Sequence, residues 1–267
     1  MTVTCFTLLN FPKQAHVGSV VHKRKIYEHT NADTALKDLF VQQVEQITWG
    51  YKLAPETINV PSTEAISEIQ VFQVSLKSSQ LDHRVLQAID KAIPFPILFE
   101  VSYRDQIKLV ATYKRRHESD TTRWVVGRYF ESNWQPDTAP REPLPLALNL
   151  SVLYEQLLTP LVTSCTTPAD KPLIEGIQDT AARYTVLDQT GIEPDTPHRA
   201  AQADLSLEQR IALAEAIDAK QKEIDRMHAR LKREKQFNKR VAINSELREA
   251  KQQLAQLQAG QPATMNH

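Results

Sequence analysis

Glycine is scarce in this chain, six residues in 267, and neither common nucleotide-binding fingerprint can be assembled from them. That argues against a nucleotide-hydrolysing engine. Cysteine is scarcer still: Cys5 and Cys165 lie far apart and match no metal or thioredoxin spacing, so they read as two free thiols of a reducing compartment. The start, MTVTCFTLLNFPKQ, has no basic leader with an apolar run of export length. No stretch approaches the ~18 apolar residues of a membrane span. A soluble, cytoplasmic protein without membrane contact is expected. The formal net charge is zero, so any argument for nucleic acid must rest on local charge.

Histidine gives no metal spacing either. His16, His22, His83, His117, His198 and His228 are scattered, with no ligand pair on one predicted element. Ser164-Cys165 lacks the context of a nucleophile elbow. No cofactor is expected from these residues.

What is present is an ordinary globular composition, 41% hydrophobic and 24% charged, in a chain long enough for one core plus a smaller module. Leu36, Leu39, Phe40, Val44 and Ile47 recur at three- and four-residue spacing. They predict a helix from about Asp33 to Trp49, capped by Asp33 or Thr34. Pro55 prevents its simple continuation, and Thr57-Ile58-Asn59-Val60 reads as a short strand. EIQVFQVSLK, residues 68–77, is the clearest strand. A helix over 81–92, strands in PILFEVSY, IKLVATYK and RWVVGRYF, and a turn at Arg104-Asp105-Gln106 follow. This order predicts an α+β fold: a mixed β-sheet with packed helices, then further helices and a C-terminal coiled coil or helical hairpin.

The expected organisation is a mixed-sheet domain over 1–134 and a proline-rich boundary with helical extension over 135–190. A linker over 191–204, a long helix or hairpin over 205–258 and a disordered tail over 259–267 complete it. Within the extension, helices are expected near 148–161 and 172–189. Ser206 with Gln209 resembles a capping box. From there to Gln258 neither proline nor glycine occurs. One apolar seam runs through Leu213, Ile217, Ile224, Met227 and Leu231. A second, out of phase, runs through Ile243, Leu247, Ala250, Leu254 and Leu257. Exposing a Leu or Ile forfeits roughly 1.5–3 kcal/mol of burial. The seams are therefore expected to pack on each other, on a second copy or on another protein. Ile217, Ile224, Leu231, Leu247 and Leu254 are the residues expected to carry association.

Basic residues cluster three times: His22-Lys23-Arg24-Lys25; Lys114-Arg115-Arg116-His117 with Arg123 and Arg128; and Arg226 to Arg240, opposed in that span only by Glu234. Phosphate contacts tolerate varied geometry, so Arg233, Lys235, Lys239 and Arg240 are candidate contacts to DNA backbone. A PD-(D/E)xK nuclease is the enzymatic alternative: acids hold a cation, magnesium by expectation, and a lysine stabilises charge. Glu56, Glu68 and Lys77 are its candidates, although Ser75-Leu76-Lys77 lacks the central acid.

WGYKLAPETINVP, VFQVSLK, LQAIDKAIPFPILFEVSY, LVATYKR and EKQFNKRVAIN together resemble, in order, domain-of-unknown-function family forty-three ninety-one, an uncharacterised bacterial group. The resemblance covers most of the chain. It implies genes beside SNF2-type helicases and DNA methyltransferases in defence or restriction-like clusters, and hence an accessory subunit binding one of them. In the family pattern acids often stand where this chain has Gln73 and Ser75, which weakens the nuclease alternative. The leading expectation is a non-catalytic adaptor whose helical tail assembles and touches DNA. The alternatives are the nuclease and a stand-alone DNA-binding dimer.

Overall fold

The computed structural model describes residues 7–116, 124–166 and 205–258. The expected helix near 172–189, the linker over 191–204, the tail and Cys5 lie outside them. The chain divides into two compact units, Met1–Cys165 and Thr166–His267.

In the first unit, β1 (Leu8–Asn10) and a 3-10 turn lead to β2 (His16–Val20), α1 (Lys23–Thr30), α2 (Thr34–Gln43), β3 (Val44–Leu53) and α3 (Pro55–Ile58). Then come β4 (Ile69–Leu76), α4 (His83–Ala92), β5 (Ile97–Tyr103), β6 (Gln106–Arg116) and β7 (Trp124–Glu131). The short β8 (Gln135–Pro136) and β9 (Arg141–Pro143) precede α5 (Leu150–Thr166). The main sheet runs β2-β3-β4-β5-β6-β7, with β8 on β6 and a separate two-stranded pair β1-β9. β4 and β5 are parallel, joined through α4; β3 on β4, β5 on β6 and β6 on β7 are antiparallel. The fold is thus α+β with a mixed sheet.

Alternation along the strands explains why both faces are buried. Phe72, Val74, Phe99, Val101 and Val110 meet Phe40, Val85, Leu86 and Ile89 in one cluster, with Ile26 of α1. On the reverse face Val71, Leu98, Leu109, Ala111 and Phe130 are equally buried. There α5 lies against β6: the Tyr154 and Tyr113 rings stack at 6.2 Å, and the Tyr154 hydroxyl donates to the Thr112 carbonyl at 2.6 Å.

Two expectations are corrected. The helix beginning after Asp33 ends at Gln43 rather than Trp49, and Val44 opens a strand directly. The helical spacing continued by accident. The pairing with β4 shifts register between Val44 and Gln46, so Val44 and Ile47, three apart, both turn into the core. The capping by Asp33 holds, its Oδ1 accepting from the Leu36 N–H at 2.8 Å. Likewise Thr57–Val60 is not a strand. Pro55 occupies the first position of α3, where its missing N–H costs nothing. The turn closes through the Thr57 hydroxyl, which accepts from the Ala54 N–H and donates to the Lys52 carbonyl, and Asn59 ends it with φ of 54°. The strand in this part of the chain is β3, which ends at Leu53, before the turn and not after it.

The division expected at residue 134 differs from the compact unit, which runs through Cys165 and includes β8 and β9. In the second unit α6 (Leu207–Arg233) and α7 (Phe237–Gln258) pack against each other as a hairpin, not as one long helix. Ser206 and Gln209 form the expected reciprocal cap at 3.3 and 2.9 Å.

Candidate functional site

The hairpin turn gathers charge. Glu234 ends α6, and its Oε1 accepts from the backbone N–H groups of Lys235 and Gln236, both at 2.9 Å. Those bonds, Gln236 first, hold its carboxyl below the usual range. The only acid of the turn is thereby engaged with the backbone. Around it Arg233, Lys235, Lys239 and Arg240 are all exposed, as are Arg226 and Lys232. Arg230 lies 3.8 Å from Glu246 across the hairpin, an exposed pair of little energetic weight. The turn therefore brings the end of one helix and the start of the next into one cationic tip. Of the seam residues, Ile217, Ile224 and Leu247 are buried within the chain itself; Leu231 and Leu254 are half-buried.

The candidate nuclease residues do not come together as a set. Glu56 and Glu68 converge, but on Lys52: its ammonium lies 2.6 Å from Glu56 Oε1 and 3.3 Å from Glu68 Oε2. The hydrogen bond from Lys52 holds the Glu56 carboxyl below its ordinary value, and the bond to Glu56 raises the Lys52 ammonium. The carboxamide of Gln70, itself buried, donates to Glu68 Oε1 at 2.5 Å. Lys77 stands at the other end of β4. Nine residues at about 3.3 Å each put it roughly 30 Å from Glu68 along the strand. There its ammonium donates to the Val41 carbonyl at 2.7 Å. Lys52 is the lysine that meets the acids. Its one signal in the sequence is its position three residues before Pro55-Glu56. Magnesium keeps several waters and needs only one or two carboxylates, so Glu56 and Glu68 could serve it. Gln70 turns its N–H toward Glu68 and adds no ligand, and the Lys52 ammonium holds the place between the acids. Among the described residues no group of three or more His, Cys, Asp and Glu side chains could hold a metal ion.

Two buried polar nodes escaped the sequence reading. Glu100, 1% exposed at the middle of the sheet, accepts from Arg141 at 2.7 Å and from Gln73 at 3.0 Å; Arg141 also donates to the Leu9 carbonyl. The second joins α4 to β6 and β7. The ammonium of Lys114 donates to the carbonyls of Asp90, Ile93 and Phe95 at 2.6, 2.6 and 3.0 Å and lies 3.4 Å from Asp90 Oδ1. The Tyr129 hydroxyl donates to Asp90 Oδ2. Burial pushes the Asp90 carboxyl up to about 6, outweighing the pull of Lys114 and the bond from Tyr129. Burial likewise lowers the Lys114 ammonium and raises the Tyr129 hydroxyl. Lys114 thus leaves the second basic cluster: at 2% exposure it closes a helix end and is not offered to an outside anion.

No helix among the described residues is long and apolar enough to cross a membrane. No curated protein and no solved structure matches the chain. A family model described as Domain of unknown function (DUF4391) matches residues 9–254, nearly the whole length. The chain belongs to that family.

Proposed function

We propose that the protein is an accessory subunit that binds nucleic acid backbone through its hairpin tip and docks on a larger enzyme of a bacterial anti-phage or restriction-like system. The observation that carries the nucleic-acid part is the exposed cluster Arg233, Lys235, Lys239 and Arg240 around an acid already engaged by the backbone. Such a tip offers charge without a base-reading pattern, so the binding is sequence-independent and salt-sensitive. The docking partner, an SNF2-type helicase or a DNA methyltransferase, rests on the family resemblance.

Replacing the four basic residues by Gln tests the tip. Each lost phosphate contact lowers the slope of log K against log salt by about 0.9, so the full set removes roughly 3–4 from it. A slope equal to that of the wild type refutes the tip as the contact. For docking, a tagged native pull-down with and without nuclease treatment is expected to retain a helicase or methyltransferase in both. Bait recovered alone, with tight duplex binding by the isolated chain, favours the stand-alone binder instead.

A second reading, a metal-dependent nuclease, draws support from one observation, the meeting of Glu56 and Glu68 at Lys52. Glu56 and Glu68 would hold magnesium, which supplies Lewis-acid polarisation of a phosphate, while Lys52 stabilises charge beside it. Magnesium-dependent nicking abolished by Lys52→Ala is the expected signature. Absence of cleavage by the purified, DNA-bound protein refutes this reading.

A further inference from the structure

We propose that Lys23 and Lys77 form a second phosphate-binding point, on the first unit, that takes a phosphodiester group of the nucleic acid backbone. This rests on the nucleic-acid reading above and adds a contact far from the hairpin in sequence.

Both ammonium groups end on the last turn of α2. Lys23, the first residue of α1, donates to the Phe40 carbonyl at 3.1 Å and the Val44 carbonyl at 2.5 Å. Lys77, just beyond β4, donates to the Val41 carbonyl at 2.7 Å. Its own backbone is pinned, its N–H donating to the Gln43 carbonyl at 2.8 Å. The two cations therefore approach one small region from two different elements.

Capping a helix end accounts for one of them and not for both. The carbonyl end of a helix carries roughly half a negative charge, so two ammonium groups leave about one and a half positive charges in excess. Among the described residues neither has a carboxylate within ion-pair distance. Burial first, and the charge of Lys77 second, lower the Lys23 ammonium, a like-charge cost that a bound anion offsets. Donors also remain. An ammonium has three N–H groups; Lys23 uses two on carbonyls and Lys77 one. Lys77 is exposed, and so are His22 and Lys25 on either side of Lys23. Spare donors, uncompensated charge and access are what a phosphate oxygen requires.

The test is the full-length Lys23→Gln/Lys77→Gln variant, because glutamine keeps an N–H for the carbonyls and removes the charge. Binding to a fluorescent 20-base-pair duplex is followed by anisotropy over a salt series, beside the wild type and the hairpin variant. The salt slope is expected to fall by about 1–2, a readout that a purely structural role does not move. The thermal midpoint is expected to stay within about 4 °C, which is roughly 1–2 kcal/mol in a domain of this size. An unchanged slope here, with the slope of the hairpin variant reduced, overturns this inference and leaves the hairpin reading standing. No duplex binding by the wild type overturns both.

Discussion

Replacing Lys114 by Met probes the polar node beneath α4. The substitution keeps most of the apolar stem and removes the ammonium, leaving Asp90 buried without a cation and the carbonyls of Asp90, Ile93 and Phe95 without their donor. Breaking a buried pair in this way costs about 3–5 kcal/mol. With a urea slope of about 2 kcal/mol/M, a loss of about 4 kcal/mol moves the midpoint by about 2 M. Trp49, Trp124 and Trp134 are the only tryptophans and all lie in the first unit, so their emission reports its unfolding in the intact chain. The cost also depends on pH. The folded value of Asp90 lies above the unfolded one, so its contribution is present at low pH and lost as pH rises through about 6. Without Lys114 that value climbs further. The variant should therefore be least impaired near pH 5 and most impaired near pH 8. A cost below about 1 kcal/mol, the net worth of one ordinary hydrogen bond, would refute the reasoning. Equal costs at the two pH values would do the same.

Arg141→Leu leaves Glu100 at the centre of the sheet with Gln73 alone. Because the Arg141 side chain is about one-third exposed, its loss is expected to cost about 1–3 kcal/mol rather than the full value of a dry pair. Restoring stability by adding Glu100→Gln, measured as a positive coupling in a double-mutant cycle, checks the assignment. Ser206→Ala removes one half of the α6 cap and should cost about 1 kcal/mol. Hydrogen exchange confined to the first turn of α6 distinguishes that fraying from global unfolding.

The parts of the fold legible in the sequence are those whose pattern is local. EIQVFQVSLK, the β5–β6 turn and the helix through Val85, Leu86 and Ile89 each carry their period within ten residues. The α2–β3 junction hides because a bulge lets a strand mimic helical spacing at Val44 and Ile47. α1 hides in the basic run after His22 because its only buried residue is Ile26. For the site, the exposed hairpin cluster was readable as charge, and the phase break between seams marked the turn. Lys52 carried only its spacing to Glu56, four residues on, and Arg141 carried no signal. Lys52 meets Glu68 across the β3–β4 pairing, and Arg141 meets a carboxylate 41 residues away, so no local spacing announces either contact.

The β1–β9 ribbon sets a schedule for synthesis. Leu8 pairs with Arg141, and Leu9 with Glu142, although most of the first unit's chain lies between them. A ribosome adding roughly 5–20 residues per second needs about 7 to 27 s to travel from one partner to the other. For that interval β1 has neither its strand partner nor the guanidinium that holds its Leu9 carbonyl. The sheet built from β3 to β7 can form meanwhile, but its Glu100 must wait for the same residue. Arg141 is thus the late arrival that fastens the first strand and neutralises the centre together, and a nascent chain stopped short of it holds neither.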